Sequence, residues 1–246
     1  MGENCNFADK IEDIFTKMPC ILHIETSTKT CSAALSQDGQ VVYHQSDTTS
    51  NGTDNCGVLV SEALSFADSH AIPLDAVAVS EGPGSYTGLR VGTSTAKGVC
   101  YGRRVPLISV STLKLLCTPV LLQDDGLEEG ALLVPMSDAR RMEVYAAVYD
   151  RALRTVREIR PDIVERDSYA EYLERGPVYF LGNGAEKCKQ VICHPNARFI
   201  DGIVPSARYM CPLAEMEYAR KNFRDVAYFE PFYLKDFVAI KPKKLL

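Results

Sequence analysis

Apolar and polar positions alternate in short runs from Cys20 onward. Ile21-Leu22-His23-Ile24 leads into a polar turn, Glu25 to Thr30, then Cys31 to Leu35, Asp38-Gly39 and Val41-Val42-Tyr43-His44. An Asp-Gly step between two such runs is a hairpin turn, so this stretch predicts three consecutive antiparallel strands. The spacing turns helical over 57–70, where Leu59, Ala63, Phe66 and Ala67 share a stripe. Val77-Ala78-Val79 reads as a buried strand and Gly82-Pro83-Gly84 as a tight turn. A helix of small residues follows from about Thr87 to Tyr101, then a strand over 106–110 and a helix from Thr112 with Ser111 as its cap.

An acidic, glycine-containing stretch, 123–130, separates this unit from one that repeats it. Leu132 to Met136 leads to Asp138 and a polar turn at Ala139-Arg140-Arg141; Glu143 to Tyr149 and about 153–160 are the next strands. Asp138 stands 113 residues after Glu25, in the same place of the repeated pattern. The expectation is therefore an α/β molecule of duplicated halves with a cleft between them. Its parts are an accessory arm over 1–19 (Phe7, Ile11, Ile14 and Phe15 on one side), a first lobe over 20–122, a second over 123–206, and a helix with a docking tail over 207–246. In the second half, Ser168 and Glu171 have capping-box spacing for a helix ending at Gly176. Tyr179-Phe180-Leu181 is a strand running into Gly182-Asn183-Gly184. Leu213, Met216, Ala219 and Phe223 form the apolar stripe of the last helix, and Lys241, Lys243 and Lys244 cluster in the tail.

The composition, 46% hydrophobic and 24% charged, supports a sizeable core and excludes a disordered chain. A net charge of -5 argues against a broad nucleic-acid-coating surface and leaves room for a local basic patch. Nine cysteines at irregular spacing fit free buried thiols in a reducing compartment better than a disulfide framework. The acidic start is unlike a secretory signal, and no apolar run reaches the roughly 18 residues a membrane helix needs. A cytoplasmic protein with no membrane contact is expected.

The segment Gly82 to Arg90 holds the most informative chemistry. Glycines after a strand and before a helix can present free N–H groups to an anion. The segment matches neither the dinucleotide nor the P-loop spacing. Alternatively, Gly88, Gly92, Thr93, Ser94, Ala96 and Gly98 make a helix with little bulk, which another backbone can approach closely. Glu25 and Asp138 could face each other across the cleft to hold magnesium and phosphates; equally, Glu25-Thr26-Ser27-Thr28 could be a turn whose hydroxyls satisfy its own backbone. Glu25, Thr26, Gly84 and Asp138 are thus the candidates to face a cofactor. Arg140-Arg141 suits a phosphate, an acid across a subunit boundary or a solvated turn. The four histidines lack the spacing of a helical metal pair, and Cys188, Cys193 and His194 lack a fourth ligand. A Gly-x-Ser-x-Gly elbow is absent, which weakens a hydrolase assignment.

Three blocks, Ile21 to Thr28, Glu81 to Gly92 with Ala96-Lys97-Gly98, and Asp138-Ala139-Arg140-Arg141-x-Glu143-Val144-Tyr145, resemble the TsaB (YeaZ) family over about residues 20–235, as does Glu230 to Lys235. The resemblance implies a duplicated actin-like (ASKHA, RNase H-like) fold with two mixed-sheet lobes. It also implies a catalytically inert paralogue of TsaD, the enzyme that places threonylcarbamoyl on N6 of adenosine 37 of ANN-decoding tRNAs. The implied partners are TsaD, bound through first-lobe helices, then TsaE, with tRNA met indirectly through the complex. No intrinsic cofactor is implied; ATP or ADP and metal belong to the partner proteins. The implied partner face is drawn from Leu59, Ala63, Phe66, Tyr86, Leu89, Arg90, Gly92, Thr93, Ala96 and Lys97, and the isolated chain is expected to pair with itself there. Glu25 stands where the family commonly has Asp, and Asp54-Asn55-Cys56-Gly57 replaces its usual Ser-His-Ser-Glu type segment. The reading of another class is a small-molecule kinase or ATPase of the same fold, working through Glu25 and Asp138.

Overall fold

A computed structural model describes residues 19–49, 52–123 and 126–234. The accessory arm, save Pro19, and the terminal lysine cluster lie outside them. β1 (Ile21–Glu25), β2 (Cys31–Gln37), β3 (Gln40–Asp47), β4 (Ala76–Gly82) and β5 (Leu107–Ser111) form one sheet in the order β3-β2-β1-β4-β5. β6 (Leu132–Asp138), β7 (Glu143–Tyr149), β8 (Thr155–Ile163), β9 (Val178–Leu181) and β10 (Ala197–Ile200) form the other, in the order β10-β9-β6-β7-β8. In each, the first three strands are antiparallel and the fourth runs parallel to the first: Ile24 faces Ala33 and Val79, and Met136 faces Ala146 while Val134 faces Phe180. The two mixed-sheet lobes are therefore the expected copies of one topology. β1 is buried along its whole length, as a central strand covered on both faces must be.

The helices tie the copies together. α1 (Cys56–Ser69) and α2 (Tyr86–Arg103) cover one face of the first sheet, turning Leu59, Val60 and Ala63 and Leu89, Ala96 and Cys100 inward. The opposite face meets α5 (Cys211–Ala219), whose Leu213 and Ala214 pack with Ile21, Ala78 and Ile108. α3 (Thr112–Gln123) is apolar around most of its circumference because it lies between the sheets. Its Leu115 belongs to the first-lobe core, and Leu113, Leu116 and Val120 pack with Leu133, Tyr149 and Leu181.

Several sequence expectations need correction. The eighth strand starts two residues later than 153 and runs on to Ile163. No capping box forms at Ser168: its hydroxyl accepts the Glu165 N–H at 2.9 Å, Tyr169 stands in the left-handed region (φ 67°), and α4 (Ala170–Leu173) is a single turn. Tyr169 is held there by its ring against Phe180 and its hydroxyl on Asp162 at 2.7 Å. The stripe of the last helix holds only at its start, since Met216 is largely exposed and Phe223, past the helix end, packs on Tyr218. Up to Leu234 the tail folds back on its own first lobe. The Arg224 N–H donates to the Leu107 carbonyl (2.8 Å), the Phe232 N–H to that of Glu81 (2.7 Å), and Val226 and Phe229 join the first core.

Candidate functional site

Glu25 ends β1 in the middle of the first sheet, and the turn after it meets the start of α2. That helix begins where Ser85 caps it, its Oγ accepting the Gly88 N–H at 3.3 Å. The contact is backbone on backbone at Gly84 and Gly88, and backbone on the Thr26 side chain at Gly92. A Cβ on Gly84 would lie 2.4 Å from the Ser27 carbonyl oxygen, one on Gly88 2.0 Å from that of Thr26, and one on Gly92 2.2 Å from Thr26 Oγ1. The Ser85 N–H is itself spent on the Ser27 carbonyl at 2.6 Å. The glycines of the motif thus give up their side chains to the chain's own turn, and two donors at the head of α2, the N–H groups of Ser85 and Gly88, are engaged. A phosphate would have to displace residues 26 and 27.

Glu25 is fully buried. Its Oε1 accepts the Ser27 N–H at 2.5 Å, its Oε2 has no partner, and burial raises its pKa above the usual carboxylate value. Two residues back, His23 donates to or accepts from Ser36 Oγ through Nε2 at 2.8 Å. Burial pushes its pKa down to about 3, so it is neutral.

Asp138 occupies the equivalent place in the second lobe and lies open to solvent. Its Oδ1 accepts the Arg140 N–H at 3.0 Å and pairs with Lys187, which also donates to the Glu143 carbonyl at 2.6 Å. Asn183 Oδ1 accepts the Asp138 N–H at 3.1 Å. Thr26, Gly84 and Glu25 come together around one turn, while the contacts of Asp138 all lie in the second lobe. Arg140 and Arg141 are exposed turn residues with φ of 72° and 48°.

The expected partner face divides in two. Leu59, Ala63, Leu89, Gly92, Thr93 and Ala96 are buried inside the lobe. Arg90 is exposed, and Tyr86, Lys97 and Phe66 reach the surface in part. Phe66 rests between Tyr43 and His70, Tyr86 against Tyr233, and Lys97 donates to the Ala227 carbonyl at 3.1 Å. The outward side of α1 and α2 instead carries Gly57, Gly98 and Gly102, with open space around each, and the exposed Val58 (56%) and Tyr101 (85%). Sequence reasoning placed Gly98 on a small-residue helix but did not separate its inner glycines from its outer ones.

Cys188 is buried, with its thiol on the Gly184 carbonyl at 3.3 Å, Cys193 is exposed, and His194 Nδ1 accepts the Asn196 N–H at 3.1 Å. No group of three or more His, Cys, Asp or Glu placed to hold a metal occurs among the described residues. Among those residues no helix is long and apolar enough to cross a membrane.

The family model described as TsaD, tRNA N6-adenosine threonylcarbamoyltransferase, matches residues 46–242. The tRNA threonylcarbamoyladenosine biosynthesis protein TsaB of Escherichia coli K12 is 31% identical over 233 residues, 90% of this chain and 96% of that protein. The protein of the same name from Haemophilus influenzae is 28% identical, over 90% and 95% of the two chains. The solved structure of YeaZ from Pseudomonas aeruginosa covers 88% of this chain and all of its own, with a TM-score of 0.74 at 23% identity, a likeness of fold.

Proposed function

Because the chain belongs to the TsaB (YeaZ) family of tRNA threonylcarbamoyladenosine biosynthesis proteins, non-catalytic paralogues of TsaD, we propose that it binds and activates TsaD for threonylcarbamoyl transfer to N6 of adenosine 37 of ANN-decoding tRNAs. It does so as a scaffold, without a bond-making site of its own. The 3-2-1-4-5 strand order in both sheets supports assigning each lobe to the actin-like, RNase H-like class.

The observation that carries the partner role is the outward face of α1 and α2. A glycine inside a helix costs about 1 kcal/mol relative to alanine. Gly88 and Gly92 repay that cost within the fold by admitting the Thr26 turn. A Cβ on Gly98 or Gly102 would meet nothing within 4 Å, and neither needs a positive φ. Bare helix backbone beside the exposed Tyr101 suits the close approach of a partner helix. TsaD is the proposed occupant, with TsaE joining the pair and tRNA reached through the complex. ATP or ADP and metal are carried by those partners, and a second copy of this chain occupies the face when TsaD is absent. The setting is the cytoplasm.

The rival kinase or ATPase reading draws no support from a closed turn and an Asp138 already paired with Lys187. The test is co-purification with the cognate TsaD, followed by transfer assays with TsaE, tRNA and threonylcarbamoyl-adenylate, with and without this chain. The proposal expects a stable pair and transfer that depends on it. No complex and undiminished transfer without the chain would overturn it, as would transfer by the chain alone.

A further inference from the structure

Relatedness to actin-like enzymes implies a phosphate and a divalent cation at the turn after β1, and the residues there fit neither group. The cradle glycines are filled by Thr26 and Ser27, and the one carboxyl group at the turn is sealed from solvent. We propose that Glu25 is a neutral carboxylic acid in the native protein, pinning the Thr26–Ser27 turn as an internal plug where a ligand would otherwise sit. This inference does not rest on the partner role.

The geometry argues for the proton. An ionised carboxylate is an acceptor only, and this one has a single N–H donor, on Oε1, with Oε2 buried and unpaired. Leaving a buried charge in that condition costs several kcal/mol. The groups that face it carry no compensating cation. They are the hydroxyls of Ser27 in the turn and Ser80 on β4, whose pull on the carboxylate is smaller than the opposing effect of its burial, the thiol of Cys31 on β2 with Cys56 of α1 behind it, and on its own strand the neutral His23. α2 meets the turn through Gly88 and Gly92, which bring no side chain. The oxygens of Ser27 and Ser80 are themselves buried without partners. A proton on Oε2 makes the carboxyl group a donor to one of these oxygens, while Oε1 keeps the Ser27 N–H. Neutral Glu25 then closes the turn onto α2 and leaves no anion to attract a metal.

The experiment compares the full chain with its Glu25→Gln variant by urea unfolding between pH 4.5 and 8.5, with and without added Mg²⁺. A native pKa above the unfolded one means that the unfolded chain releases its proton first, so the acid weakens stability as pH rises from about 4.3 toward the native value. The wild-type folding equilibrium constant, divided by that of the variant, should fall up to tenfold per pH unit in that window, with Mg²⁺ without effect. A ratio independent of pH, or a wild type stabilised by Mg²⁺ while the variant is not, would show an ionised Glu25 and overturn the proposal. Should the variant fail to fold, infrared spectroscopy of the wild type labelled with ¹³C-carboxyl glutamate decides. A buried protonated-carboxyl stretch at neutral pH supports the proposal, and its absence refutes it.

Discussion

The turns after β1 and β6 are copies of one design put to opposite uses. Each follows the first strand of its sheet, carries an acid at its start and is met by a Gly-x-Gly step after the fourth strand. Gly82 and Gly182 stand in matching left-handed conformations, φ 113° and 96°. Gly84 presses on Ser27, and Gly184 presses on Ser137 and Asp138. Beyond the second glycine the copies part. After Gly84 comes α2, of 18 residues, with two further glycines laid on the turn; after Gly184 comes only the short 3-10 turn Glu186–Cys188. The long helix clamps the turn beside a buried Glu25, whereas the short turn leaves Asp138 in solvent, neutralised by Lys187. One topology thus carries a turn closed by the chain's own packing in one copy and a turn paired with a lysine in the other.

The harshest test of that contrast is to add a methyl group at the closed turn. Gly88→Ala puts a Cβ about where the Thr26 carbonyl oxygen already lies, and both atoms belong to backbone that cannot swing away. We expect a loss of about 3 kcal/mol or more, or no folded protein. Gly184→Ala, with its nearest atoms at 3.0 to 3.1 Å, should cost about 1–2 kcal/mol. Urea unfolding of both variants checks the order, and equal losses would mean that the two turns are equally tight.

The next test is acid. Counting from the shared acid, His23 on β1 corresponds to Met136 on β6, both fully buried. His23 has a native pKa of about 3 against about 6.5 unfolded, so the unfolded chain takes up the proton first as pH falls. The contribution of His23 is complete above pH 6.5 and should drop by roughly 4 kcal/mol on the way to pH 3. His23→Met, which copies the second lobe, should remove that acid limb in a pH series of unfolding midpoints. A limb that persists in the variant would place the acid sensitivity elsewhere. Glu25 acts with the opposite sign, so two groups on one strand bound the pH range of greatest stability from either side.

The duplication was legible because its signals are local: an acid at the end of an apolar strand, a polar turn, and Asp-Gly or Asp-Arg at the hairpin. The exchange of α3 and α5 between lobes was not, because an apolar segment does not say which sheet it covers. β10 was missed for want of length, and α4 was expected as a longer, boxed helix because the left-handed Tyr169, a conformation its side-chain contacts impose, has no signal in the sequence. The glycines of α2 fall between these cases. Gly88 and Gly92 are four residues apart, as are Gly98 and Gly102, but six residues separate the pairs, which turns them to different faces of a helix. Only the buried Leu89 and Ala96 identify the inner pair, and the closeness of the Thr26 backbone needs the fold. The acid pair was the misleading signal: Glu25 and Asp138 are equivalent in sequence and lie in unlike surroundings.

The outer pair supplies a milder test. Gly98→Leu adds bulk to open space, so the free protein should keep its stability or gain up to about 1 kcal/mol from helix propensity. Binding to TsaD should weaken at least tenfold, about 1.4 kcal/mol, by titration calorimetry. Unchanged binding would move the partner elsewhere on the first lobe.

The smallest effect is expected at the open turn. The Asp138–Lys187 pair is partly exposed, and such pairs contribute about 1 kcal/mol or less. Asp138→Asn keeps an oxygen to accept the Arg140 N–H and loses only the charge, so its unfolding midpoint should barely move, and less still at high salt. Binding to TsaD and the dependence of transfer on this chain should stay at wild-type levels, because the acid faces its own lobe. A loss above about 2 kcal/mol would mean that Asp138 is held as firmly as Glu25. A collapse of transfer with binding intact would return the second lobe to the chemistry and end the contrast between a closed turn and an idle one.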